Sequence, residues 1–255
     1  MSSIGTGYDY SATTYSPDGR IYQIEYAEKA VENSGTSVGL SYSTGVVIGI
    51  QKLLLSKMLE PGSNRRLQVV DRNVGIVGSG LAPDARQLAN RVRAEASNFK
   101  RTFGIDIPAK TLADRVASFV HVYTLYSSVR PFGVSTIMAA VDRNGPQLFL
   151  VEPSGACAAY RGCAVGKGRQ TAKNELEKIT KKEGMGMQEA LEAVARILIK
   201  CQDDTKDKDV EFELGFVDTA GKGFEILSDE RTRTIFEAVR ARIQAEEDDD
   251  DDDDD

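Results

Sequence analysis

The sequence predicts an α+β protein built on antiparallel sheets, and three observations carry that prediction. Short apolar runs bounded by turn residues come in blocks, and amphipathic stretches with three-to-four spacing come in other blocks. The two kinds do not alternate singly as they would in βαβ units. Asn144-Gly145 sits between two apolar runs, which is a strong hairpin signal. A turn and a short amphipathic helix also stand ahead of the first strand.

The preamble runs Tyr8-Asp9-Tyr10-Ser11-Ala12, then Tyr15-Ser16-Pro17-Asp18-Gly19-Arg20-Ile21-Tyr22-Gln23-Ile24-Glu25-Tyr26-Ala27. It reads as a mobile tail, a rigid turn and a helix. Pro17 fixes φ, Asp18-Gly19 supplies turn chemistry, and Ile21, Ile24 and Val31 are expected on the buried face. Such a preamble suits a subunit that docks with neighbours and guards something better than it suits a free-standing globular enzyme.

Strands are predicted next at residues 36–40, 46–50, 67–70 and 74–77. Leu81, Ala85, Leu88, Val92, Ala96, Phe99 and Phe103 then trace one face of a helix. Pro108 restarts the chain, and Leu112, Val116, Phe119, Tyr123 and Tyr126 trace a second helix. Strands return at 134–141, 147–151, 157–160 and 162–165, followed by helices marked by Ala172, Leu176 and Ile179 and by Leu191, Val194, Leu198 and Cys201. A strand pair near 212–217 and 223–226 precedes a last helix, with Ser228 as its N-cap and Asp229 and Glu230 in its first turn. Nothing marks a linker, so residues 1–244 read as one domain that buries two sheets between helical layers. Residues 245–255 read as a disordered acidic tail.

The net charge of −7 is a property of that tail. Without Glu246, Glu247 and the eight aspartates after them, the body carries 32 basic against 29 acidic side chains, a balance of +3. There is no basic stripe with interleaved aromatics for nucleic acid, and no apolar run near the ~20 residues that span a bilayer. The N-terminus lacks a basic and then apolar leader, which argues against secretion. Cys157, Cys163 and Cys201 are too few and too widely spaced for a disulfide framework or a zinc site. They read as buried, reduced thiols in the cytoplasm or nucleus. No metal or cofactor is expected.

Candidate chemistry is sparse. The stretch from Gly162 to Gly168 has three residues between its first glycines and lacks the Ser or Thr after Lys167, so it reads as a strand-to-helix turn rather than a phosphate loop. His121, the sole histidine, falls in the second helical pattern and reads as a packed or hydrogen-bonded core residue. Gly78-Ser79-Gly80 reads as a packing turn. Arg65-Arg66 is either solvated surface charge or, given the rigid fork of arginine, a carboxylate receptor. The aspartate tail is either a solubilising coil or a docking site for basic partners.

The preamble resembles the signature of proteasome alpha subunits: Tyr8-Asp9, Ser16-Pro17-Asp18-Gly19-Arg20, Gln23 and Glu25-Tyr26-Ala27. The likeness continues through Gly78-Ser79-Gly80-Leu81, Asp84-Ala85-Arg86, Tyr123-Thr124-Leu125-Tyr126, Arg130-Pro131-Phe132-Gly133-Val134-Ser135, Pro153-Ser154-Gly155 and Ala164-Val165-Gly166. It covers nearly everything from residue 5 to 243. Val31-Glu32-Asn33-Ser34, Ala96-Ser97-Asn98-Phe99 and the acidic C-terminus make it most similar to the type-3 branch of that family, which holds the seventh position of the ring.

The resemblance implies a four-layer αββα sandwich of the N-terminal-nucleophile hydrolase type, with two antiparallel sheets between helices. It implies a non-catalytic ring subunit of the 20S core particle, with residues 1–19 as gate tail and turn and 20–33 as a leading helix across the ring. Its partners would be the other alpha subunits, the beta subunits, and a regulatory particle or other activators, in ubiquitin-dependent and ubiquitin-independent degradation. Tyr8, Asp9, Pro17 and Tyr26 carry over as gate residues, and Arg66 carries over as the activator-binding residue where a lysine is common. Many members have Arg after the Tyr-Asp pair; this chain has Tyr10, which removes that cation.

Two alternatives stand beside this reading. A threonine peptidase would need its nucleophile where Gly35-Thr36 falls, with Gln51 and the Arg66-Leu67 pair at the supporting positions. A free adaptor would act through the acidic tail, against which the apolar face at Ile21 and Ile24 argues.

Overall fold

The computed structural model describes residues 7–54, 56, 58–60, 62–181, 184–202, 210–221 and 223–252, the last six of these as backbone alone. Helix α1 (Tyr22–Glu32) follows a turn that Ser16 closes: the Ser16 N–H donates to the Arg20 carbonyl at 2.9 Å, and the Arg20 N–H donates to Ser16 Oγ at 3.0 Å. Then come β1 (Ser37–Ser41), β2 (Gly45–Leu53), β3 (Leu67–Asp71), β4 (Val74–Gly80), α2 (Ala82–Phe103) and α3 (Ala109–Val122). A second block of strands follows: β5 (Val134–Asp142), β6 (Gly145–Val151), β7 (Cys157–Tyr160) and β8 (Gly162–Val165). The chain closes with α4 (Arg169–Ile179), α5 (Met187–Lys200), β9 (Val210–Asp218), β10 (Glu225–Ile226) and α6 (Asp229–Asp252).

Two antiparallel five-stranded sheets result, ordered β10-β9-β2-β1-β8 and β3-β4-β5-β6-β7. The central strands bury both faces, because side chains alternate between two cores. On β6, Leu148 and Leu150 fill the space between the sheets, while Phe149 and Val151 turn to α2 and α3. On β2, Val46, Ile48 and Ile50 face the other sheet and Val47 faces the α4–α5–α6 layer. The layers are therefore helix, sheet, sheet, helix, and the α+β sandwich expected from the block pattern is the observed fold. At the β5–β6 hairpin Asp142 pairs with Gly145, and Gly145 alone takes the positive φ, +92°. The glycine is used as expected, with Arg143 and Asn144 as the loop.

Several local expectations are corrected. Helix α1 buries Tyr22, Ala27 and Val31 against the body, while Ile21 sits at the cap and Ile24 is half-buried. Gly78-Ser79-Gly80 is the end of β4 rather than a turn. Tyr126 lies beyond α3, which stops at Val122 because tight bonds from the Tyr123 and Thr124 N–H groups close its last turn. His121 is exposed on that turn; its Nδ1 lies 3.2 Å from the Ser154 carbonyl, so it is hydrogen-bonded but not core. Of the cysteines, Cys163 is buried, whereas Cys157 and Cys201 are half-buried. Burial pushes the Cys163 thiol up to about 12.

The acidic tail also departs from expectation. Helix α6 begins as predicted, with the Arg231 N–H on Ser228 Oγ at 3.3 Å, but it continues past residue 245 to Asp252. Arg196 on α5 holds Glu246 through both guanidinium nitrogens, and Arg242 on α6 holds Glu192 at 2.5 Å. The first pair gives the start of the acidic run a cationic partner on a neighbouring helix, and the second ties α6 to α5 just before it. Residues 253–255 lie outside the described residues.

Candidate functional site

The tail is fastened onto α1. Gln23 and Tyr26, three residues apart and so on one face of the helix, both reach Asp9. The Gln23 amide donates to the Asp9 carbonyl at 2.5 Å, and the Tyr26 hydroxyl donates to Asp9 Oδ2 at 3.3 Å. Burial, then the neighbouring Asp9 carboxylate, raises the Tyr26 phenol above its ordinary value. Arg20 braces the start of the helix through a two-pronged pair with Glu25 at 2.6 and 2.5 Å, and lies over the Tyr22 ring, 5.0 Å from its centre. Hydrogen bonding to Arg20 holds the Glu25 carboxyl below its usual range.

Of the four sequence-predicted gate residues, the structure joins Asp9 and Tyr26. Tyr8 and Pro17 are exposed, and no hydrogen bond ties either to that pair among the described residues. Gln23 was missed as a site residue; its place one turn before Tyr26 was the signal that could have found it. Residues 1–6 of the predicted tail lie outside the described residues. Tyr10 and Tyr15, in this part of the sequence, are 85% and 67% exposed.

A cleft opens beside the C-terminal half of α1. Ala30, Gly35, Gln51, Arg66, Gly80 and Leu81 are among its lining residues. Arg66 is half-buried there: one terminal nitrogen donates to the Gly80 carbonyl at 3.2 Å, and its Nε is buried without a partner among the described residues. Burial lowers the guanidinium pKa, Glu213 opposes that shift, and Arg86 adds to it. An unpaired buried N–H is costly and favours an incoming acceptor. Between the two readings of Arg65-Arg66, the structure separates the residues: Arg65 is exposed and Arg66 faces the cleft.

The far wall is rigid. Gly80 has φ +133°, and a Cβ there would lie 2.1 Å from the Gly133 carbonyl. The Leu81 N–H donates to that same carbonyl at 2.9 Å. Gly133 is held in turn by Asp84, which accepts its N–H at 2.9 Å and pairs with Arg130 at 2.6 and 2.8 Å.

Of the positions a peptidase would use, Gly35, Gln51 and Arg66 line the same cleft. Gly35 is packed so closely that a Cβ would stand 1.9 Å from the Gln51 carbonyl oxygen. Thr36 is buried, with its Oγ1 accepting the Gly168 N–H at 2.9 Å. Ser79 Oγ donates to the Gly35 carbonyl at 2.7 Å, so the peptide that would have to be cut is bonded into the core.

Comparison with known proteins gives the family. A family model described as "Proteasome subunit" matches residues 31–217, and a second, for the N-terminal signature of A-type proteasome subunits, matches residues 8–30, the tail, turn and most of α1. The chain is 54% identical over 219 residues to the alpha type-3 proteasome subunit of Dictyostelium discoideum, covering 86% of this chain and 88% of the relative. It is 53% identical over 215 residues to the protein of that name from Acanthamoeba castellanii, covering 84% and 85%, and 52% identical over 217 residues to that from Spinacia oleracea, covering 85% and 87%. With the sandwich, the leading helix and the tail signature in one chain, this protein belongs to the proteasome subunit family and is of its alpha type.

Proposed function

We propose that this chain is a non-catalytic structural and gating subunit of the outer ring of the 20S proteasome, with an activator-docking cleft centred on Arg66. Its partners are neighbouring alpha subunits, the beta ring beneath, and a regulatory particle or other activators, in ubiquitin-dependent and ubiquitin-independent degradation. The observation that carries the docking reading is the half-buried Arg66 in a cleft, one donor spent on Gly80 and Nε without a partner among the described residues. A peptide carboxylate supplies the acceptor that this fork lacks. The gating reading rests on Asp9 held against Gln23 and Tyr26, which aims the tail from a fixed point on α1.

The absence of catalysis is supported by Gly35, where any nucleophile side chain collides with Gln51. It is supported again by Arg66, a poor proton carrier at its high pKa. Free thiols at all three cysteines suit a reducing compartment, in keeping with the cytoplasm and nucleus. The test is activator affinity of assembled particles carrying Arg66→Ala in this chain. Binding to this chain should weaken about tenfold, the scale of one charge-assisted hydrogen bond. Unchanged affinity would remove Arg66 from the docking role.

A further inference from the structure

Arg66 is held through its main chain by a buried ion pair that joins β2 to β9; its cation, Lys52, also lines the cleft, and Glu213 does not. Glu213, on β9, is 8% exposed, and its Oε2 accepts the backbone N–H groups of both Arg66 and Leu67 at 2.9 Å. Its other oxygen lies 2.7 Å from Lys52 Nζ, on β2, whose residue is 6% exposed. Lys52 also pairs with Glu211 at 3.0 Å and donates to the Asn64 carbonyl at 3.3 Å, in the segment leading to Arg66. Strands β2 and β9 set this pairing by register, with Lys52 opposite Glu211 and Gln51 opposite Phe212.

A buried ion pair is an expensive way to stabilise a fold, since two charges must leave water. Here Glu213 accepts the backbone N–H of Arg66 and of the next residue, and Lys52 ties Glu213 to the Asn64 carbonyl in the segment before Arg66. The arrangement fixes where the Arg66 main chain enters β3, and the Gly80 carbonyl fixes where its guanidinium ends. The Nε between those two anchors is buried and has no partner among the described residues.

Resting on the docking reading above, we infer that Glu213, held in place by Lys52, is a positioning residue: it sets the Arg66 fork to receive a peptide carboxylate without touching the ligand itself. The pair would confer preference for a free C-terminus over a blocked one, more than overall affinity.

The test uses assembled particles and a photo-crosslinking peptide with an activator's C-terminal residues, prepared as free acid and as amide. Labelling of this chain alone is read by mass. Wild-type particles should label about tenfold better with the acid, as expected for one charged contact. Arg66→Ala should bring the acid-to-amide ratio near one. Glu213→Gln should bring it most of the way there with particle assembly unchanged on native gels, and Lys52→Arg, which keeps the cation, should leave it intact. If Glu213→Gln blocks assembly, Lys52→Met with Glu213→Gln leaves no lone buried charge and is read instead, with the same predicted loss. A wild-type ratio in the Glu213 variants, with the ratio lost in Arg66→Ala, would overturn the positioning role and leave the docking reading standing. A wild-type ratio in Arg66→Ala would overturn both.

Discussion

The Tyr26 hydroxyl reaches the Asp9 carboxylate at 3.3 Å from one helical turn beyond Gln23, whose amide holds the Asp9 carbonyl at 2.5 Å. The two bonds are unequal. Tyr26 is 46% exposed and its bond is long, whereas the Gln23 bond is short and part-buried. Water competes for the first and much less for the second.

Gln23→Ala should therefore loosen the tail more than Tyr26→Phe. The loss is about 1 kcal/mol for the Gln23 bond, enough to shift a near-balanced gate severalfold. Peptide hydrolysis by assembled particles, with and without activator, measures it. Equal effects from the two variants would contradict the assigned order.

Gly35 should tolerate no side chain. Gly35→Ala forces a Cβ to within 1.9 Å of the Gln51 carbonyl unless the backbone shifts, at a cost of about 1–3 kcal/mol. Gly35→Thr, which puts the nucleophile of a peptidase at this position, should be at least as costly and should gain no hydrolysis. Thermal melting and a peptide-cleavage assay on the isolated chain decide both points.

Asp84 gives the cleft wall a defined pH response. Arg130 holds its carboxyl below the ordinary 3.8, burial opposes the shift, and the Gly133 N–H adds to it. A carboxyl with a lowered folded pKa stabilises the fold fully above its unfolded value and loses that contribution as pH falls through the folded one. Asp84→Asn should cost about 1–2 kcal/mol at neutral pH, reduced because Arg130 is largely exposed. The gap between wild type and variant should begin to narrow below about pH 4 and go on closing as pH falls through the lowered folded value, in denaturant melts. A gap that persists to about pH 2 would assign the cost to packing instead.

Among the contacts that dock α6, two should rank clearly. Phe236 stacks on Phe212 with ring centres 4.0 Å apart and is 4% exposed, so Phe236→Ala should cost about 3–5 kcal/mol. Arg196→Ala breaks only the exposed pair with Glu246 and should move the melting temperature by a small fraction of that.

Local pattern made much of this molecule legible. The amphipathic spacing of α2 and the glycine of the β5–β6 hairpin are short-range signals that tertiary structure did not override. The tail signature likewise pointed to Asp9 and Tyr26, because both lie within one contiguous motif. What could not be read was set by partners far away in the chain. Lys52 and Glu213 meet only because β2 lies beside β9, and neither residue is unusual in its own neighbourhood. Helix α1 buries Tyr22 and Ala27 rather than Ile21 and Ile24, because its approach to β4 and β5, not hydrophobicity, chooses the face. The acidic run reads as a coil from composition, yet its start is helical where α5 supplies Arg196.

The most direct test is the native size of this chain, tagged and recovered gently from its own cells, with its companions identified. The account predicts a very large particle that contains other alpha-like and beta-like chains. A monomer or small dimer free of such chains would contradict it.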